Sequence, residues 1–244
     1  MLTPIHPTPG AGFDPFSDEG GAELAARYAP PARDWLRINL IVSVSGSAAG
    51  SDGTSDTLTN RTDRRILGVV RSQADLVLVG AQSVRAEGYK VPRTALLGIV
   101  TMSGDLTGHQ LIEERADRLM VFCPANATTT VTETLPGARV VAIAPSGGRL
   151  DVVDVLRAAR DLGARSIVCE GGPSLAAQVA STGFVDEVCL TTASLLTGTT
   201  LPALGEQAFA PLPLELEGLL VDEASNLYSR WRVAKESMVK GVQP

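Results

Sequence analysis

Residues 167–175 read Ile167-Val168-Cys169-Glu170-Gly171-Gly172-Pro173-Ser174-Leu175. A short apolar run enters two glycines, and a proline then marks the first turn of a helix, where its missing N–H is no loss. Strand, glycine turn and helix in that order are the building unit of an α/β sheet. Glycines at such a turn let a ligand approach the backbone closely. The amides of the first helical turn, at the positive end of the helix dipole, then point at it. Pyrophosphate suits that geometry. A tight turn with nothing bound is the alternative reading of the same residues, because short glycine motifs are unspecific.

Moving outward from this stretch, the same alternation continues. Trp35–Val44 reads as a strand, and Thr62–Ser72 as a helix with Ile66, Leu67 and Val70 on one side. Leu76–Val79 is a strand covered on both faces, followed by strands at Leu96–Thr101, Leu119–Cys123, Val140–Ala144 and Ser166–Cys169. Residues 149–162 carry helical spacing at Val152, Val155, Leu156, Ala159 and Leu162, with Gly163 as the stop. After a helix from Pro173, Val185–Thr192 is a strand, and the runs Glu217–Asp222 and Leu227–Val233 predict a closing hairpin. The expected fold is α/β, one domain over residues 35–244 with a mixed, mostly parallel sheet flanked by helices and a C-terminal antiparallel hairpin. Residues 1–34 hold six of the 15 prolines, so they read as a Pro/Gly-rich arm over the domain, with a short helix at 22–28.

Composition excludes several chemistries. The 244 residues carry a net charge of −6, which opposes non-specific nucleic-acid binding. Three scattered cysteines and two histidines, His6 and His109, offer no metal-ligand spacing and no His-based triad, so no metal is expected. The cysteine pattern reads as a reducing compartment. No apolar run is long enough for a membrane span and the N-terminus lacks a signal-peptide pattern, so a cytoplasmic location is expected.

Two more strand ends attract attention. Gly80, Ser83, Val84 and Glu87 follow the strand at Leu76–Val79, where open α/β sheets place ligands. Thr101, Ser103 and Gly104 follow the next strand. Each loop alone reads as a turn, but loops of this kind at successive strand ends point together to a site. Arg61, Arg64, Arg65 and Arg71 read as the solvated face of their helix.

Four pieces, Ile41–Gly46, Ala74–Gly80 with Ser83-Val84, Glu170–Leu175 and Val185–Val188, together resemble the reductase domain of riboflavin biosynthesis (the RibD C-terminal domain), whose fold is that of dihydrofolate reductase. The resemblance runs from about Trp35 to Val233. It implies NADPH-dependent reduction of a phosphoribosylamino-pyrimidine, opening the ribose to a ribityl chain, and a homodimer. It further implies that Gly80, Ser83, Val84, Glu87, Thr101, Ser103, Gly104, and Glu170, Gly171, Gly172, Pro173, Ser174 and Leu175 hold the cofactor. Asn39, Ser45 and Glu87 stand as groups that orient substrate or relay a proton, and Ser45, Arg85 and Arg93 as substrate contacts.

The departures are specific. The family's Ser-Leu-Asp-Gly reads Ser43-Val44-Ser45-Gly46, and its Asp-Asp-Pro reads Glu87-Gly88-Tyr89. Met102 replaces an arginine often found in the third loop, removing one partner for a 2′-phosphate. The deaminase that often accompanies this reductase has no counterpart, because neither H-x-E nor P-C-x-x-C occurs. Two alternatives stand beside the pyrimidine reductase: a dihydrofolate or pterin reductase of the same fold, and a non-catalytic NADP-binding protein.

Overall fold

In the central strands both sets of alternating side chains are apolar, so both faces of the sheet are buried. The computed structural model describes residues 1–111, 113–198 and 201–234. In chain order the elements are β1 (Leu2–His6), α1 (Asp18–Arg27), β2 (Trp35–Ser43), α2 (Arg61–Ser72), β3 (Leu76–Gly80), α3 (Ala81–Ala86), β4 (Leu96–Val100), β5 (Leu119–Cys123), α4 (Thr128–Thr134) and β6 (Arg139–Ala142). There follow the short β7 (Pro145–Ser146) and β8 (Arg149–Leu150), then α5 (Val152–Asp161), β9 (Ser166–Gly171), α6 (Pro173–Ala180), β10 (Glu187–Ala193), β11 (Leu214–Asp222) and β12 (Leu227–Val233).

A ten-stranded sheet runs in the order β1-β11-β12-β10-β2-β9-β3-β4-β5-β6. From β10 to β6 every pairing is parallel, whereas β12, β11 and β1 continue it antiparallel. In β3, Val77 and Val79 join a core with Leu24 of α1, Ile66 and Val70 of α2, Val84 of α3 and Val131 of α4. Leu76 and Leu78 point the other way, into a core with Val155 and Leu156 of α5 and Val179 of α6. The chain winds outward from β2 to β6 with helices on one face, then returns through β9 to β10 with helices on the other. Right-handed crossovers require that change of face.

The expected strands and helices form, with ends shifted by a few residues. The arm does more than lie over the domain. Leu2–His6 pairs antiparallel with β11 as an edge strand, and Leu2 and Leu24 are fully buried. Its helix spans Asp18–Arg27, capped by Ser17, whose side chain accepts from the Gly20 amide. The prolines obscure the strand, but Leu2 and Pro4 face inward as alternation demands. In α2, Ile66, Val69 and Val70 are buried, and Leu67 instead faces the cavity described below. The last residues of the expected domain, 235–244, lie outside the described residues. Among the described residues no helix is long and apolar enough to cross a membrane.

Candidate active site

Strands β2 and β9 pair only from Trp35↔Ser166 to Ile38↔Cys169. Beyond that, β2 stays with β10 up to Ser43↔Ala193, and β9 stays with β3 through a register shift that ends at Val79↔Gly171. The two strands therefore part at their C-terminal ends. The connections reinforce the split: β2 and β3 lead into helices on one face, β9 into a helix on the other. Crevices at such switch points are where open α/β sheets bind ligands. A cavity of about 520 Å³ fills this one.

Its floor is Asn39, Leu40 and Ile41 of β2, and one wall is the cavity face of α2, with Arg64, Leu67, Gly68 and Arg71. Those four positions follow helical spacing, so the arginines are not a uniformly solvated face as expected. Arg71 donates to both carboxylate oxygens of Glu170 at 2.7 and 2.6 Å and lies over the Tyr89 ring. Arg65 donates to the Pro15 carbonyl and Arg61 stacks on Phe16, so both anchor the N-terminal segment. Arg64 is the exposed member, 3.8 Å from Asp56.

The glycine turn closes the far wall. Gly171 has φ +88°, the left-handed region that favours glycine, and a Cβ there would touch Leu40. A Cβ at Gly80 would lie 3.8 Å from the Gly171 carbonyl and 3.9 Å from the Gly172 nitrogen, so the ends of β3 and β9 meet as bare backbone. Ser83 accepts from the Gly172 amide at 3.1 Å. Gly172 caps α6 with no side-chain hydrogen bond and Pro173 opens the helix, which leaves first-turn amides free for a ligand or water. This bare cradle fits the phosphates of a dinucleotide. Gly171→Ala is expected to lower stability by about 1–2 kcal/mol through the positive φ alone, read as a fall in the thermal midpoint. An unchanged midpoint would show that the turn adapts.

Glu87 is the carboxyl of interest. It lies just past α3 on the cavity wall, and Ser55 donates to it at 3.2 Å. Burial pushes its pKa up; the Ser55 hydrogen bond opposes this, and the negative neighbours Asp56, Glu170 and Asp52 add to it. Asp63 also lines the cavity. Burial raises its pKa too, against hydrogen bonds from Thr59 and Thr191 and the charge of Arg64. One cavity thus holds two carboxyls whose pKa values burial raises above the ordinary carboxylate range, a setting suited to proton transfer.

Of the sequence-derived candidates, Asn39, Ser83, Glu87, Glu170, Gly172 and Pro173 line this cavity. Glu170 reaches it with its carboxylate engaged by Arg71. The side chains of Val84 and Leu175 are buried in the two cores, and Gly171 lies behind Gly172. Ser45 lies outside, donating to the Thr197 carbonyl at 3.1 Å. Arg85 is exposed and donates to the Asp105 carbonyl, and the Arg93 carbonyl accepts from Arg118, so neither arginine lines the cavity. Thr101 turns back to accept from the Gly104 amide at 3.1 Å, in a loop with Ser103 at the end of β4, next to β3. The cavity's cations are Arg64, Arg71 and Lys90. The seven-residue spacing of Arg64 and Arg71 marks one helix face in the sequence, but not that this face lines a cavity.

The architecture also appears in known structures. A pyrimidine reductase-like protein from Corynebacterium diphtheriae superposes with a TM-score of 0.66 at 24% identity, over 83% of this chain and 92% of that one. The riboflavin biosynthesis reductase of Saccharomyces cerevisiae matches with a TM-score of 0.65 at 14% identity, over 87% of this chain and 98% of that one. The diaminohydroxyphosphoribosylaminopyrimidine deaminase/5-amino-6-(5-phosphoribosylamino)uracil reductase of Thermotoga maritima gives 0.68 at 19% identity, over 87% of this chain and 60% of that one. At these identities the likeness is one of fold. No curated protein sequence matches. The family model of the RibD C-terminal domain matches residues 34–226, a span that takes in both the parting strands and the glycine turn. By that match, the chain belongs to the RibD C-terminal domain family.

Proposed function

We propose that the chain is an NADPH-dependent reductase acting on a phosphoribosylamino-pyrimidine, the substrate class that the name of the Thermotoga maritima relative gives for that protein. The observation that carries this reading is one cavity joining a bare glycine cradle to a half-buried carboxyl whose pKa burial raises. Gly80, Gly171, Gly172, Ser83 and the first-turn amides of α6 would hold the pyrophosphate. The Thr101–Gly104 loop, one strand spacing (about 4.8 Å) beyond β3, would take the adenosine end. When bound, NADPH supplies the hydride.

The protein's own work is alignment, exclusion of water and management of one proton. Reducing the ribose C1′ breaks its bond to the ring oxygen, and the departing electron pair needs a proton. Glu87, at the cavity wall with its pKa raised by burial, is the group proposed to supply it. Asn39 and Ser83 offer neutral hydrogen bonds for orienting substrate. Arg64 and Lys90 are the cavity cations outside the Arg71–Glu170 pair, and they replace Arg85 and Arg93 as the proposed phosphate contacts.

The two cavity carboxyls Glu87 and Asp63 favour a second reading, because either one, when ionised, can accept two N–H bonds from an aminopyrimidine edge such as that of a pterin. One assay separates the two. The loss of NADPH absorbance is followed with the deaminated phosphoribosylamino-pyrimidine and with dihydrofolate, side by side. Faster turnover of the former is expected. Faster turnover of the latter selects the pterin reading, and NADPH binding without turnover of either leaves a non-catalytic protein.

A further inference from the structure

Arg71 stands where the two halves of the cavity meet. It lies in the last turn of α2, and its Nε and Nη2 donate to separate oxygens of Glu170 at 2.7 and 2.6 Å. Its guanidinium carbon lies 5.0 Å from the centre of the Tyr89 ring. Glu170 is the residue before the glycine turn, and Tyr89 lies just beyond Glu87 and Gly88. One side chain thus touches both the segment that forms the cradle and the segment that carries the carboxyl. The clamp is shielded from water, with the Arg71 side chain 18% exposed and that of Glu170 6%. Burial would lower the Arg71 pKa, but the charge and hydrogen bonds of Glu170 outweigh it, so the guanidinium keeps its charge.

Charges reach Glu87 from every side of the cavity. The loop after β2 brings Asp52 and Asp56, and the end of β9 brings Glu170. Burial raises the Glu87 pKa first, against the Ser55 hydrogen bond, and Asp56, Glu170 and Asp52 then push it further. Helix α2 brings Asp63, Arg64 and Arg71, and Lys90 follows on the segment of Glu87 itself. Arg64 is exposed beside Asp56, and Arg85 turns away to the Asp105 carbonyl. The carboxylate of Glu170 is different, because a guanidinium holds both of its oxygens. Without that partner, two like charges would share one cavity of low dielectric, and one of the two carboxyls would then hold its proton far more strongly.

We propose that Arg71 is a positioning residue for proton delivery: by pinning and neutralising Glu170, it keeps a second bare carboxylate from facing Glu87. The proposal rests on the reading of Glu87 as the proton source. Arginine suits the task better than lysine, because its planar fork satisfies both oxygens while its flat face lies on the Tyr89 ring. A clamp that served only to join α2 to β9 would change stability when cut and leave the Glu87 titration where it was.

The test follows the Glu87 carboxyl by NMR across pH in the full chain labelled with carbon-13 glutamate, its resonance identified by its absence in Glu87→Gln. Arg71→Leu is expected to move the Glu87 midpoint to higher pH, and Arg71→Lys, which keeps the charge, to restore most of the wild-type value. Glu170→Gln should move it the opposite way, to lower pH. Arg71→Leu combined with Glu170→Gln strands no charge and so carries less risk to folding; its midpoint should fall to the wild-type value or below. The high-pH limb of the reductase rate should follow the NMR midpoint in each variant. Midpoints unchanged in Arg71→Leu and Glu170→Gln overturn the proposal, as does a double variant that titrates as high as Arg71→Leu. Midpoints that move as expected while the rate limb stays fixed overturn the reading of Glu87 as the proton source, and the positioning role with it.

Discussion

Glu87→Gln is expected to lower kcat by about 10²–10⁴-fold, the usual scale for removing a general acid, with NADPH affinity close to wild type. Gln keeps the shape and the Ser55 contact but cannot deliver a proton. The pH profile carries a second signature. Burial first, reinforced by Asp56, Glu170 and Asp52, places the Glu87 pKa above its ordinary value. The wild-type rate should therefore fall as pH rises through that raised value, and the variant should lose this limb. Stability moves the opposite way. A carboxyl with a raised native pKa holds its proton more tightly when folded, so its ionisation costs stability as pH rises from the unfolded value through the native one. At neutral pH, Glu87→Gln should match or exceed the wild-type thermal midpoint. A variant that is both inactive and unstable would mark Glu87 as a structural residue instead.

The second large effect lies away from the cavity. Glu187→Gln should destabilise the fold by about 3–5 kcal/mol, because Arg37 is left buried without its counter-charge. At ~2–4 °C per kcal/mol for a chain of this size, the midpoint should fall by roughly 10 °C. Burial alone would raise the Glu187 pKa, but the Arg37 and Arg230 charges, with hydrogen bonds from Arg230 and Trp35, outweigh it and hold it below the ordinary carboxylate value. Its contribution is thus complete above the unfolded value and is lost as pH falls through the lowered native one. Replacing Glu187, Arg37 and Arg230 together by apolar residues should cost much less than the single change, since no charge is then stranded. A Glu187→Gln midpoint within 2–3 °C of wild type would show that water reaches the triad.

Much of the architecture was legible in the sequence, for identifiable reasons. Continuous apolar runs such as Leu76–Val79 mark strands buried on both faces, and Gly171-Gly172-Pro173 marks a strand-to-helix turn whatever surrounds it. Local rules did not reveal β1, because four prolines within residues 1–15 mask a period-two pattern only three side chains long. The helix at Thr128–Thr134 was hidden by β-branched threonines, residues that read as strand or loop. At the site, the residues next to the turns, Ser83, Glu87, Glu170 and Gly172, could be picked from sequence. Arg71 and Asp63 could not, because their meaning comes from the approach of α2 to the strand ends. The alternation of β10, with Glu187 among its buried positions, was visible as Glu187-Val188-Cys189-Leu190-Thr191. Which side is covered depends on α1, and no local pattern fixes that.

In the proposed reaction this cavity joins NADPH to the ribose carbon of a phosphoribosylamino-pyrimidine. The most direct measurement uses NADPH deuterated at the transferring nicotinamide position and locates the label in the product by mass spectrometry and NMR. One deuterium per turnover is expected at C1′ of a ribityl chain, appearing about 10²–10⁴-fold more slowly in Glu87→Gln. Product carrying no deuterium at C1′, or label found instead on a pterin ring when dihydrofolate competes, would contradict it.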